Sequence, residues 1–185
     1  MKIKKKTKLK PEDWIKGGFR ALSSGGAQAI RIEAIAREMK VSKGSFYWHF
    51  KDVAALKRAM LEHWAKLATF DIITDLSGSN ITPKEQLETI IKISAGEGAA
   101  DYGGLKVEGA IRNWAQHDKM AAKVFKKVEK ARLQFLEDVF ANADKKNSAQ
   151  NARIFYAGLI GFEHLAVQGL ANMEADMNKL LEVLL

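Results

Sequence analysis

The 185-residue sequence predicts an all-α protein of about nine helices. Apolar residues recur at three- and four-residue intervals, the only two prolines each stand where a helix begins, and no stretch reads convincingly as a strand. With 47% hydrophobic and 28% charged residues the chain can bury a sizeable core, and no internal repeat or low-complexity tract interrupts it.

Pro11 at a first helical position, with Glu12 and Asp13 in the opening turn, starts the first helix. Its Ile15, Phe19 and Leu22 recur at helical spacing, and Gly25 and Gly26 stop it. Ile32, Ile35, Ala36 and Met39 mark a second helix buried on one side. After a tight break at Lys40 and Val41, Ser42 is suited to cap a short third helix reaching about His49. Asp52 caps a long fourth helix through Leu56, Met60, Trp64 and Leu67 toward "SGSN". Thr82 and Pro83 open a fifth, to about Glu97; "GEGAADYGG" is a loop; helices follow over 105–115, over 118–143 with Asp118 as cap, over 149–169, and briefly at the end.

Charge is unevenly spread. The net charge is +8, yet residues 1–51 hold 13 Lys and Arg against 4 Asp and Glu, whereas residues 52–185 hold 17 against 18. A basic amino-terminal segment on a neutral body fits a polyanion-binding head, because Lys and Arg displace the counterions condensed on phosphates. The bland alternative is a lysine-rich tail that keeps the chain soluble. "MKIKKKTKLK" is followed by "PEDWIKGGFR" rather than by an apolar core, so it is not read as a secretion signal. "AGLIGFEHLAVQGLA" carries Glu163 and His164 and falls short of a membrane span, so no membrane partner is expected. The chain has no cysteine, which removes disulfides and thiol nucleophiles and fits a cytoplasmic protein.

Two short helices joined by a tight turn and supported by a preceding helix form a helix-turn-helix, which lays its second helix in the DNA major groove. The faces of "VSKGSFYWHF" agree with that use. Phe46 and Phe50, four apart, share a buried side with Ile35 and Val41, which leaves Ser45, Trp48 and His49 facing out. An outward tryptophan can contact thymine methyls and donate its N–H to a base or phosphate. Lys43 and Gly44 stand at the helix start, where backbone N–H groups and a missing side chain favour close approach to a phosphate.

At these residues "IEAIAREMKVSKGSFYWHFKDVAAL" resembles the DNA-binding motif of the tetracycline-repressor (TetR) family, with "YWHF" before a lysine as its most specific part. The resemblance covers about residues 11–60; "IRNWAQHDKM…VEKARLQFLEDVF" is a fainter match to the family's regulatory domain. It implies DNA contacts from Ser42, Lys43, Ser45, Tyr47, Trp48 and His49, with Tyr47 and Lys51 mainly on phosphates. Three positions depart from the pattern. Lys40 replaces a usual Gly at a helix end, at a cost of ~1 kcal/mol. Arg31 replaces a capping Thr or Ser and supplies a charge toward phosphate, and Val53 stands where a lysine is usual.

These readings divide the chain into a basic flexible tail (1–10), a helix-turn-helix DNA-binding domain (11–51) and a helical regulatory and dimerisation domain (52–185). One short helix reads too few base pairs to find a single site in a genome, so a homodimer on a palindrome is expected. The helix over 149–169 is apolar nearly all round and is the expected dimer surface, through Ala157, Gly158, Gly161, Phe162 and Leu165. The resemblance pairs it with part of 118–142 in a four-helix interface. It further implies repression relieved by a small-molecule inducer held between head and interface; Trp64, Phe70, Tyr102, Trp114 and Phe125 are candidate linings, though such residues are more often plain core. No cofactor or metal is expected, since His63, His117 and His164 are isolated in sequence.

Two rival classes are a nonspecific basic DNA-binding protein and an all-helical enzyme. The glycine-rich loop lacks the lysine and hydroxyl of a phosphate loop, no zinc-protease or hydrolase signature occurs, and Glu97, Asp101 and Glu108 read as solvated carboxylates. Equal affinity for every duplex marks the first rival, and turnover without nucleic-acid binding the second.

Overall fold

The computed structural model describes residues 9–96, 102, 104–143 and 146–185. Among them the chain forms nine helices and no strand. These are α1 (Pro11–Gly25), α2 (Ile32–Glu38), α3 (Lys43–Trp48), α4 (53–77), α5 (Pro83–Ala95), α6 (Lys106–His117), α7 (Lys119–Asn142), α8 (Ser148–Val167) and α9 (Met173–Leu184), with one further 3-10 turn at Ala27–Ala29. Most of the predicted tail and most of "GEGAADYGG", including Glu97 and Asp101, lie outside the described residues.

Local chemistry sets most boundaries. Asp52 Oδ1 accepts from the Ala55 N–H at 2.7 Å to start α4, and Asp118 Oδ1 accepts from Ala121 at 2.9 Å to start α7. Thr82 and Glu85 form a reciprocal capping box ahead of α5, with Pro83 at its first position. The predicted Ser42 cap does not form. Instead, the Ser45 hydroxyl donates to the Ser42 carbonyl at 2.7 Å, and α3 is a 3-10 helix rather than an α-helix. Phe46 is buried and Phe50, just past the helix end, packs partly buried against the same cluster. The predicted long fourth helix is present but not uniform. It runs as α-helix over Val53–Ala65, widens to a π-helix over Lys66–Phe70, and resumes as α-helix over Asp71–Ser77.

Two apolar clusters hold the fold. The first joins α1, α2 and α3 to the front of α4, to α6 and to the start of α7, with Trp14, Leu22, Ile35, Phe46, Leu56, Met60 and Ile111 fully covered. Trp14 meets Phe46 edge-on at 5.1 Å. Packing therefore continues across the predicted division at residue 51, because α4 and α6 form the floor of the head. Gly17 and Gly18 make that contact possible: an added Cβ would meet Ile35 Cγ2 at 2.7 Å on α2 and the Met60 sulfur on α4. The second cluster packs α5, the rear of α7, α8 and α9 around Leu87, Ile91, Phe140, Phe155 and Met177.

Candidate nucleic-acid interface and internal cavity

Burial of Phe46 fixes the face that α3 presents. Trp48 is 86% exposed and Tyr47 54%, while Ser45 and His49 are only partly exposed. Arg31, Ser42, Lys43, Gly44 and Lys51 are exposed as well. The Tyr47 ring stands edge-on to Phe46 at 5.3 Å, which holds it at the rim. Sequence periodicity did not assign Tyr47 a face. Lys43 is not free: its ammonium pairs with the Glu33 carboxylate on α2, and that hydrogen bond raises the lysine pKa and lowers that of the glutamate. Arg20 Nε bonds Glu38 at 2.5 Å and ties α1 to α2. Lys40 takes the left-handed backbone that its position requires, with φ 56°.

Behind the head lies a cavity of about 370 Å³ bounded by α1, α4, α5, α6, α7, α8 and the Tyr102 segment. Its wall is mainly aliphatic and aromatic, and its rim includes Leu67 and Ile93, both exposed. Of the predicted linings, Trp64 and Tyr102 are on the wall, whereas Phe70, Trp114 and Phe125 are not. Phe125 stacks on Trp64 at 6.1 Å from the far side, and Trp114 is buried in the first cluster with the Lys57 ammonium over its ring. Tyr102 stacks on His63 at 5.0 Å, meets Phe19 edge-on at 5.9 Å and donates its hydroxyl to Glu12 at 2.7 Å. Burial keeps the His63 pKa below its usual value.

Sequence reading missed the polar part of this wall. Arg132 on α7 bonds Glu108 at 2.7 and 3.3 Å, the Thr69 hydroxyl at 2.8 Å and the Ala68 carbonyl at 3.0 Å. Thr69 and Ala68 belong to the π stretch of α4, so Arg132 holds that irregular turn to α7. Trp64 Nε1 also donates to Glu108, at 3.0 Å. The Tyr156 hydroxyl donates to Glu129, and its pKa is raised, chiefly by burial. Arg112 faces Glu163 at 3.7 Å. Burial and the nearby Glu108 push the Glu163 carboxyl up to about 7. Charged residues spaced along three helices look like solvated faces until the fold brings them together. Among the described residues no three His, Cys, Asp or Glu side chains converge as a metal site.

The predicted dimer helix packs one side on the second cluster, through Ala152, Phe155 and Leu159. Its outward face, with Ile154, Ala157, Gly161 and Leu165, is exposed; Phe162 is half-buried. Gly158 belongs elsewhere: it abuts α9, where an added Cβ would meet Leu180 Cδ2 at 2.5 Å. Helix α7 packs on α8 within the chain, and α9 on its other flank. Val183 on α9 and Leu170 between α8 and α9 stand 76% and 74% exposed. Among the described residues no helix is long and apolar enough to cross a membrane.

A three-helix head presenting an aromatic helix, joined by a long helix to an all-helical body with a cavity, is the architecture of a helix-turn-helix domain on a helical body. Residues 15–60 match the family model described as bacterial regulatory proteins, tetR family. That match covers the head and the front of α4. No curated protein matches its sequence. Solved structures share its fold at low identity. A transcriptional regulator from Saccharomonospora viridis in complex with choline aligns with TM-score 0.78 at 15% identity, covering 93% of this chain and 95% of the other. A TetR-family regulator from Agrobacterium tumefaciens gives 0.78 at 17%, covering 93% and 95%, and Bacillus subtilis FadR in complex with stearoyl-CoA gives 0.71 at 15%, covering 95% and 97%.

Proposed function

We propose that the protein is a cytoplasmic homodimeric repressor that grips a palindromic operator through α3 and releases it when a small molecule fills the cavity. Trp48, His49, Ser45 and Ser42 read base edges, while Arg31, Lys43, Gly44, Tyr47 and Lys51 position the head on phosphates. The tail of residues 1–10 adds nonspecific phosphate affinity. The partly exposed stripe of α8, with Ala157, Gly161, Phe162 and Leu165, joins Val183 of α9 against a second copy; the small residues let the helices approach closely. Repression needs nothing beyond occupancy of the promoter.

One observation carries ligand control: Phe19, a residue of the head's own first helix, is part of the cavity wall. Tyr102 extends that link, reaching from the wall to Glu12 on the same helix. Arg132 supplies a second route, since it ties the wall to the π turn of α4, the helix that leads into the head. A molecule that displaces these groups shifts the head relative to its partner, and the two recognition helices lose the operator spacing. That choline and stearoyl-CoA are bound in two regulators of the same fold supports a ligand-holding body. Catalysis has no part in this reading, which assigns Glu108 and Glu163 on the cavity wall to pairs with Arg132 and Arg112.

Selection of binding sites from a random duplex pool, with the mass of the complex measured, tests the proposal. The expected result is a palindrome bound by two chains. A preference-free pool, or one chain on an asymmetric site, overturns it.

A further inference from the structure

The fold relatives do not decide which small molecule enters, since choline is a cation and stearoyl-CoA an anion. The wall of this chain does discriminate. Arg132 is fully engaged by Glu108, Thr69, Ala68 and Tyr156. Arg112 is not: its carboxylate neighbour Glu163 stands at 3.7 Å, beyond direct hydrogen-bond distance, and its Nε–H is buried with no acceptor. A buried guanidinium donor without an acceptor favours an incoming anion over an incoming cation.

Two further features agree. Arg112 and Glu163 also line a smaller recess of about 110 Å³, whose other titratable walls are Lys106 and His164, so this end of the cavity is rich in donors and cations. Glu163, with its carboxyl pushed up to about 7, is neutral in a large share of molecules near neutral pH and then leaves Arg112 without a counter-charge. Apart from His63, Ser94 and the network of Arg132 with Glu108, Thr69 and Tyr156, the wall is mainly aliphatic and aromatic up to a rim that exposes Leu67 and Ile93.

We propose that the effector is an amphipathic monoanion, an apolar body ending in a carboxylate, whose body fills the 370 Å³ cavity and whose carboxylate takes Arg112 from Glu163. This rests on the cavity being the effector site, as set out above. A cationic effector would have to draw a carboxylate away from an arginine and leave that arginine unpaired.

The test is direct binding to the full chain, read by intrinsic tryptophan fluorescence and calorimetry below micellar concentrations. Three probes share one alkyl length: decanoate, 1-decanol and decyltrimethylammonium. Decanoate should bind about tenfold or more tighter than decanol, the worth of one charged hydrogen-bonded contact. Arg112→Gln should erase that preference, so that decanoate no longer binds tighter than decanol. Equal binding of acid and alcohol, or preference for the ammonium, overturns the assignment of ligand class but leaves an effector cavity in place. Absence of binding by all three overturns the cavity as effector site as well. The ranking of the three probes on the unmodified chain stands even if the variant fails to fold.

Discussion

Lys40 holds a left-handed backbone, φ 56°, at the end of α2. Its N–H bonds the Arg37 carbonyl at 3.2 Å and the next N–H, Val41, bonds Ala36 at 2.9 Å, the paired bonds that close a helix on a left-handed residue. The turn therefore has the geometry that glycine suits, and a lysine bears the steric cost. Lys40→Gly should stabilise the protein by about 1 kcal/mol, measured by urea unfolding, with no change in DNA affinity. Glu33 stands one helix away from the contact surface and neutralises Lys43. Glu33→Gln should free that ammonium for a phosphate, raising affinity for all duplexes and steepening the salt dependence by about 1 in log–log slope. An unchanged slope in fluorescence anisotropy titrations would mean that Lys43 already leaves Glu33 when DNA binds.

The elements of the head show what was legible beforehand and what was not. In α3, Phe46 and Phe50 alone could serve as its buried side, so the outward placement of Trp48 followed from spacing. Its 3-10 winding did not follow, since hydrogen-bond register leaves no mark on apolar spacing over six residues. Nor did the π turn of α4, which depends on Arg132, more than sixty residues further along the chain. The same distance hid the cavity: Phe19, Glu108, Arg132 and Glu163 lie on four helices, and each alone reads as core or as a solvated charge. Gly17 and Gly18, residues of low helix propensity inside α1, are the points where α1 touches α2 and α4. Gly17→Ala tests that contact. Helix propensity would gain up to ~1 kcal/mol, but the new methyl meets the stiff, β-branched Ile35 at 2.7 Å, and overpacking of this kind costs about 1–3 kcal/mol. Net destabilisation in chemical unfolding is expected; a gain in stability would show that the helices can separate freely.

At the scale of the whole molecule, head and body share one apolar cluster, the physical path that the proposed ligand control would use. The cavity also leaves a signature in stability. Glu163 faces Glu108 and Arg112 on α6 and Arg132 on α7, and burial holds its carboxyl near 7 against an ordinary 4.5. Between those two values the native state binds more protons than the unfolded chain, so this group's contribution to stability declines as pH rises through that window. His63 acts in the opposite sense, because burial lowers its pKa and the unfolded chain takes up the proton first. The comparison that isolates Glu163 is thus the difference between the natural chain and Glu163→Gln, with His63 common to both. Melting temperatures from pH 4.5 to 8 should show the natural chain losing stability relative to the variant as pH rises, with no further relative change above about 7. Parallel pH profiles would place Glu163 in contact with solvent, and Arg112 would then keep its counter-charge at all pH values where it binds an effector.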